Sequence, residues 1–431
     1  MSAQTDQPGW IETYEHIAGA PAAGPAEVQK VGVLKVGNAA ARRVLVLLGG
    51  REGGSNVFLH TARSLAKASS DLQVWAIDRR EQNLADLATF AGGLEHATEY
   101  YLDGHYQSMT GTDAPYAAEW GLSVLVGDVR EVVRQAAAGG EREVVLGGVS
   151  VGATAVLSYA SWDFDGTPGY SELAGLVVVD GGVHNAFSGA GMEFELPLEA
   201  AKGWLSQIQG DAIFENFTST AIGLGERPES AAVWFQLAAR HAVEDPEGVS
   251  TLAERLPEAL RPDRKVTNAG LLGWLFDAER RIPPYAVHAG HLDDNGAWVD
   301  GGPVRLSTVA EAFAGPGRSS WLWYTLNRVM LDYVAAMDLA ENDVTRHLGL
   351  RLAHGKDIDI PLYAFQSGMT GGTVGQAAAS VAAASRIPEV SVHSDFALAH
   401  QDVTYAQWEN NRFLQTLSRF IENLPARAPR G

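Results

Sequence analysis

The sequence predicts an α/β fold: a mostly parallel, eight-stranded-type sheet with helices on both faces and a large, mainly helical cap inserted after the sixth strand. Three observations predict it. Short apolar runs alternate with longer helical patterns, several of the runs end in Gly or Asp, and the alternation stops for a long stretch before resuming near the C-terminus. The runs are continuously apolar, as strands buried on both faces are.

In chain order, Val31 to Val36 reads as an early strand, Val44 to Leu48 as the next, and Leu72 to Ile77 as a third ending at Asp78. A helical stretch around Ala117 to Ala138 leads to the strand Val144 to Gly148 and a helix from Val151 to Ala160. Leu176 to Val179 follows, ending at Asp180. From Val183 to Lys356 the chain reads as helices and loops, with helices at Pro197 to Ile208, Ala231 to His241 and Ser320 to Leu339. Strands resume at Pro361 to Phe365 and Val390 to Val392, with an Ala-rich helix at Ala377 to Ala384 between them. A final helix spans Val403 to Asn423, ahead of a Pro/Arg tail. The expected division is therefore core (1–182), inserted cap or lid (183–356) and core again (357–431).

Composition bounds the function. With 431 residues, 46% of them hydrophobic, the chain can bury a substantial core. A formal charge of −20 repels polyanions, so nucleic acid is not an expected partner and anionic membranes are disfavoured. The absence of cysteine removes disulfides, thiolate nucleophiles and Cys-based metal sites. Met1 to Gly9 is polar and shows no signal peptide, and no apolar run is long enough to span a bilayer. The expectation is a soluble protein, cytoplasmic or secreted with its leader absent from this chain, its oligomeric state open.

The most informative stretch is Gly148–Val–Ser–Val–Gly152, a G-x-S-x-G set between an apolar strand and an Ala/Val-rich helix. A serine alcohol is a weak nucleophile and must be raised above the sheet edge, where a base can reach it. A sharp strand-to-helix turn does this, and the flanking glycines let the neighbouring backbones approach. The turn also places the Val151 amide at a helix N-terminus, where it can donate to an oxyanion. The plainer reading is a tight glycine turn with an incidental serine.

Upstream, Gly49–Gly–Arg–Glu–Gly–Gly54 follows a buried strand, and the Arg51 amide is the candidate second oxyanion donor. Of 12 histidines, His400 best fits a general base, lying between the last strand and the last helix. His184 is its rival, His393 lies too close to its strand, and Asp402 reads as a cap of the final helix. No Asp or Glu occurs between Asp359 and Glu389, so the strand at Pro361 has no acid at its C-terminal end. Asp357 and Asp359 lie at its other end, about 20 Å away at ~3.3 Å per residue. Asp180 is the candidate triad acid, with Asp395 as the alternative.

In the order of these motifs the chain resembles the α/β-hydrolase superfamily, which includes esterases and lipases. More narrowly it resembles uncharacterised actinobacterial hydrolases, through Val74–Trp–Ala–Ile–Asp–Arg–Arg80, Trp120–Gly–Leu, Val144 to Gly148 and Trp162–Asp–Phe–Asp–Gly166 leading to Gly175 to Gly182. The resemblance covers residues 30–182 and 357–424. It departs at Gly49, where many relatives carry histidine, and in lacking an acid after the seventh strand. Haloalkane dehalogenases and some lipases similarly place that acid after the sixth strand. The dehalogenases use an Asp nucleophile, so Ser150 argues against that reaction.

The resemblance and the residues together imply a serine hydrolase cleaving a carboxylic ester through Ser150, His400 and Asp180. The oxyanion would be held by Arg51 and Val151. Trp204, Trp234, Trp274, Trp298, Trp321 and Trp323 crowd the inserted segment, which fits either an apolar substrate or the segment's own core. Lactone opening, acyl transfer and C–C cleavage use the same residues, and a non-catalytic binding protein is the alternative of another class. Neither a metal-binding motif nor a dinucleotide fingerprint occurs, so no metal and no cofactor is expected.

Overall fold

The computed structural model describes residues 9–315 and 320–425; the first eight residues and most of the Pro/Arg tail lie outside the described residues. Eight strands form one sheet: β1 (Trp10–Ala18), β2 (Lys30–Asn38), β3 (Arg43–Leu48), β4 (Leu72–Asp78), β5 (Glu143–Val149), β6 (Gly175–Val179), β7 (Leu362–Gln366) and β8 (Val390–Ser394). Their order is β1-β2-β4-β3-β5-β6-β7-β8. β2 runs antiparallel to β1 and β4, and every later neighbour pair is parallel.

All residues of β4, β6 and β7 are buried, which requires cover on both faces of the sheet. Each Val or Leu so buried contributes roughly 1.5–3 kcal/mol. β1 escapes a search for continuous apolarity because it is an edge strand, with Glu12, Thr13, Glu15 and His16 exposed.

Before the insertion the core carries α1 (Leu59–Ala68), α2 (Leu122–Ala137) and α3 (Val151–Ser161). Between β6 and β7 lie α4 (Leu198–Gln209), α5 (Ser230–Glu244), α6 (Asn268–Phe276), α7 (Leu306–Ala314) and α8 (Asn327–Ala335), with short strands that join no part of the main sheet. Phe235, Phe276, Phe313 and Trp321 form the aromatic core of this segment. The chain returns through α9 (Thr373–Ala383) and α10 (Arg412–Asn423). α10 buries Phe413, Leu414, Leu417, Phe420 and Ile421 along one face, and Asn411 caps it by accepting from the Leu414 amide at 3.2 Å.

Two elements differ from expectation. The predicted helix from Ser320 to Leu339 is extended as far as Leu326, and only α8 is α-helical. Its first part instead pairs with other backbone: Gly53 bridges Trp321, the Leu322 amide donates to Glu52 O at 2.6 Å, and Thr325–Leu326 pairs with Phe214–Glu215. The predicted final helix is likewise broken into Asp402–Tyr405 and α10. Between them the Asn411 amide group donates to Val403 O and Ala406 O. Among the described residues, no helix is long and apolar enough to cross a membrane.

Candidate active site

The sheet register brings the candidate residues to one edge. Leu48 of β3 pairs with Gly148 of β5, Val149 with Val179 of β6, and Val179 with Phe365 of β7. The residues that follow, Gly49, Ser150 and Asp180, therefore leave the sheet side by side at the C-terminal ends of parallel strands, next to Gln366 at the end of β7. That is where open α/β sheets bind ligands.

Ser150 sits in the turn between β5 and α3 at φ 56°, ψ −130°, a conformation that non-glycine residues rarely adopt. It persists because the surroundings fix it. The Ser150 amide donates to Val179 O at 2.8 Å, and the flanking backbone is closely packed. A Cβ on Gly148 would lie 2.3 Å from Gly152, and one on Gly152 would lie 2.4 Å from Gly49 O. The Val151 amide, in the first turn of α3, has no intrahelical acceptor.

Asp180 is fully buried at the tip of β6, also at positive φ (46°). His400 Nδ1–H donates to its Oδ2 at 3.0 Å. The other donors come from Ser367, whose amide reaches Asp180 Oδ1 at 2.6 Å and whose hydroxyl reaches Oδ2 at 2.5 Å. Sequence reasoning missed Ser367. The signal was present as an absence, since the tip of β7 carries no acid and is free to supply donors to the acid on β6. With Nδ1 on Asp180, His400 keeps Nε2 for the cavity that it lines together with Ser150.

The rivals lie elsewhere. Asp395 takes the Ala397 amide at 3.2 Å within its own loop. His184, its pKa lowered by burial, approaches Asp338 rather than Asp180. His393 pairs with Ser391 within β8. Asp357 and Asp359 stand before β7, at the far end of the strand from Ser367. Asp402 caps no long helix. Its carboxylate instead accepts from His288 Nδ1 at 2.6 Å, from the His288 amide at 2.9 Å and from the Ala399 amide at 2.8 Å, tying the His400 loop to the inserted segment.

The cavity above Ser150 encloses about 280 Å³. Its floor includes Gly50, Arg51, Ser150, Val151 and His400, and its roof comes from the inserted segment. Met192, Met330 and Met337 line that roof with Phe194 and Trp204. Of the six tryptophans singled out in this segment, Trp204 and Trp321 face the cavity. Trp274 and Trp323 serve the core instead, their indole N–H groups held by Leu260 O and Gln236. At one side Arg51 pairs with Glu215 at 2.9 Å, and burial raises the pKa of that carboxyl. Glu52 accepts from Thr218 and faces Tyr285. Among the described residues, no group of three or more His, Cys, Asp or Glu gathers as metal ligands would.

The strand order, the bent β5–α3 junction and the insertion between β6 and β7 define the α/β-hydrolase fold. Comparison with a known structure supports the fold. A proposed lipase from Sulfolobus solfataricus superposes with a TM-score of 0.54 at 15% identity, over 99% of this chain and 98% of that one. Epoxide hydrolase A from Mycobacterium thermoresistibile gives 0.46 at 13% identity over 97% and 100% of the two chains. A soluble variant of monoglyceride lipase from Saccharomyces cerevisiae gives 0.42 at 11% over 99% and 98%. No protein-family profile and no characterised protein matches the sequence, and the narrower resemblance to actinobacterial hydrolases gains no support.

Proposed function

We propose that the chain is a serine hydrolase that cleaves a carboxylic ester of an apolar substrate through an acyl-enzyme. The observation that carries this reading is the strained Ser150 at the floor of an apolar cavity that it shares with His400, itself held by buried Asp180. Ser150 Oγ attacks the ester carbonyl while His400 Nε2 takes its proton. The amides of Arg51 and Val151 receive the oxyanion, and Asp180 stabilises the imidazolium. The proton then passes to the departing alcohol, and water, activated by the same imidazole, releases the acid. Residues 183–356 act as a cap whose methionine and aromatic side chains select the acyl or alcohol portion.

The test is hydrolysis of a p-nitrophenyl ester series by wild type and Ser150→Ala. The expected result is turnover in wild type, with a kcat loss on the order of 10⁵-fold or more in the variant. A folded wild type with no turnover of any ester, thioester or lactone would favour a binding protein on this fold. Equal activity in the variant would move the nucleophile elsewhere.

A further inference from the structure

We propose that Arg79 is a positioning residue that holds the oxyanion loop in its donating orientation, an inference that rests on the hydrolase reading above. Arg79 follows β4 and is buried, only 5% exposed, behind the loop Gly49–Gly54. It does not line the cavity, whereas Gly50 and Arg51 do. Its guanidinium donates to two loop carbonyls and a carboxylate. Nη1 donates to Gly50 O at 2.9 Å, Nη2 to Arg51 O at 2.5 Å, and Nε to Glu81 at 2.6 Å. One cation thus grips two successive loop carbonyls without itself lining the cavity.

The consequence follows from peptide geometry. In a planar trans peptide the C=O and the next N–H point in opposite directions. Drawing Gly50 O back onto Arg79 turns the Arg51 N–H forward, toward the cavity. The loop is near enough for this to matter, since a Cβ on Gly50 would stand 2.9 Å from Ser150 Cβ and 3.4 Å from its Oγ. Without the guanidinium, the same peptide can rotate and present a carbonyl, which would repel an oxyanion. Glu81 keeps the buried cation paired, and Tyr333 of α8, a roof residue, stands beside it. Thr325 Oγ1 also reaches Arg51 O, at 3.3 Å. The loop is thus braced from the core by Arg79 and from the inserted segment by Thr325 and Trp321.

Arg79→Met and Arg79→Lys, in the full chain, test this against p-nitrophenyl ester hydrolysis and inhibition by a trifluoromethyl ketone, which Ser150 converts to a hemiketal oxyanion. Arg79→Met should lower kcat about 10²-fold, the scale of losing one oxyanion donor, with KM within about threefold. The ketone's inhibition constant should rise by the same factor as kcat falls, and lysine should recover part of both. A purely structural role would lower the melting temperature and leave ketone affinity and kcat unchanged in the folded fraction, and that result overturns the proposal. If neither variant folds, a crystal structure of the wild-type ketone adduct decides. An oxygen bonded to the Arg51 amide, with both carbonyls still on Arg79, supports the assignment; an oxygen bonded elsewhere contradicts it. A wild type that takes neither ester nor ketone removes the hydrolase reading and this one together, whereas an active wild type with unaltered variants removes this one alone.

Discussion

The floor and the roof of the cavity are built on different principles. On the floor, each group is pinned by fixed neighbours: Ser150 by a strained turn with no room for a Cβ on either flanking glycine, Asp180 by the Ser367 amide and hydroxyl, His400 by Asp180. On the roof, Met192, Met330 and Met337 touch the same space through unbranched, adaptable chains carried on an inserted segment. The difference separates two tasks. Chemistry needs groups fixed to within a fraction of an ångström, while substrate choice needs a wall that can be reshaped without disturbing them.

The floor should be intolerant. Asp180→Asn keeps the shape but removes the charge that orients His400, and kcat should fall about 10⁴-fold with the melting temperature little changed. Near-normal steady-state turnover would remove Asp180 from the triad. Ser367→Ala deletes one hydrogen bond to that buried charge; at roughly 1.5–3 kcal/mol for such bonds, activity should drop at least about tenfold. An unaltered rate would show that Ser367 only fills space.

The roof should be permissive. Met337→Ala and Trp204→Ala are expected to shift the ratio of kcat/KM for long and short acyl esters by about tenfold, the scale of one or two methylene-sized contacts. If the ratio is unmoved, the substrate does not occupy the space beneath α4 and α8.

The smallest effect lies at the seam. The hydrogen bond to Asp402 raises the pKa of His288, with burial opposing it. Because the folded-state pKa is the higher one, the pair's stabilisation is complete below the unfolded value of about 6.5 and fades as pH rises through the raised value. His288 is half exposed, so solvent screening keeps the contribution modest. Calorimetric melts of wild type and His288→Gln should differ most near or below that unfolded value and converge in alkali; a gap that widens with pH would reverse the sign.

The same contrast governs what could be read in advance. Buried parallel strands are legible because apolarity is continuous along them, and the elbow is legible because only glycine fits beside Ser150. Asp180 emerged from the lack of an acid after β7. Other features escaped because their cause lies far away in sequence. β1 is an edge strand with much of its surface exposed, so it carries no continuous apolar run. Trp321 to Leu326 is extended because its partners are Glu52, Gly53 and a short strand at Phe214, none of them local. Arg79 follows a buried strand, and nothing in the sequence tells which carbonyls a buried guanidinium will find. Asp402 has the look of a helix cap and binds a histidine 114 residues away instead.

Residue 150 should bear the reactive alcohol, and covalent labelling reads this out. Wild type treated with a fluorophosphonate should gain a single adduct by intact mass, mapped to the peptide containing Ser150 and absent from Ser150→Ala. Labelling at another residue would place the nucleophile elsewhere, and a folded wild type that stays unmodified would leave Ser150 without a reactive alcohol.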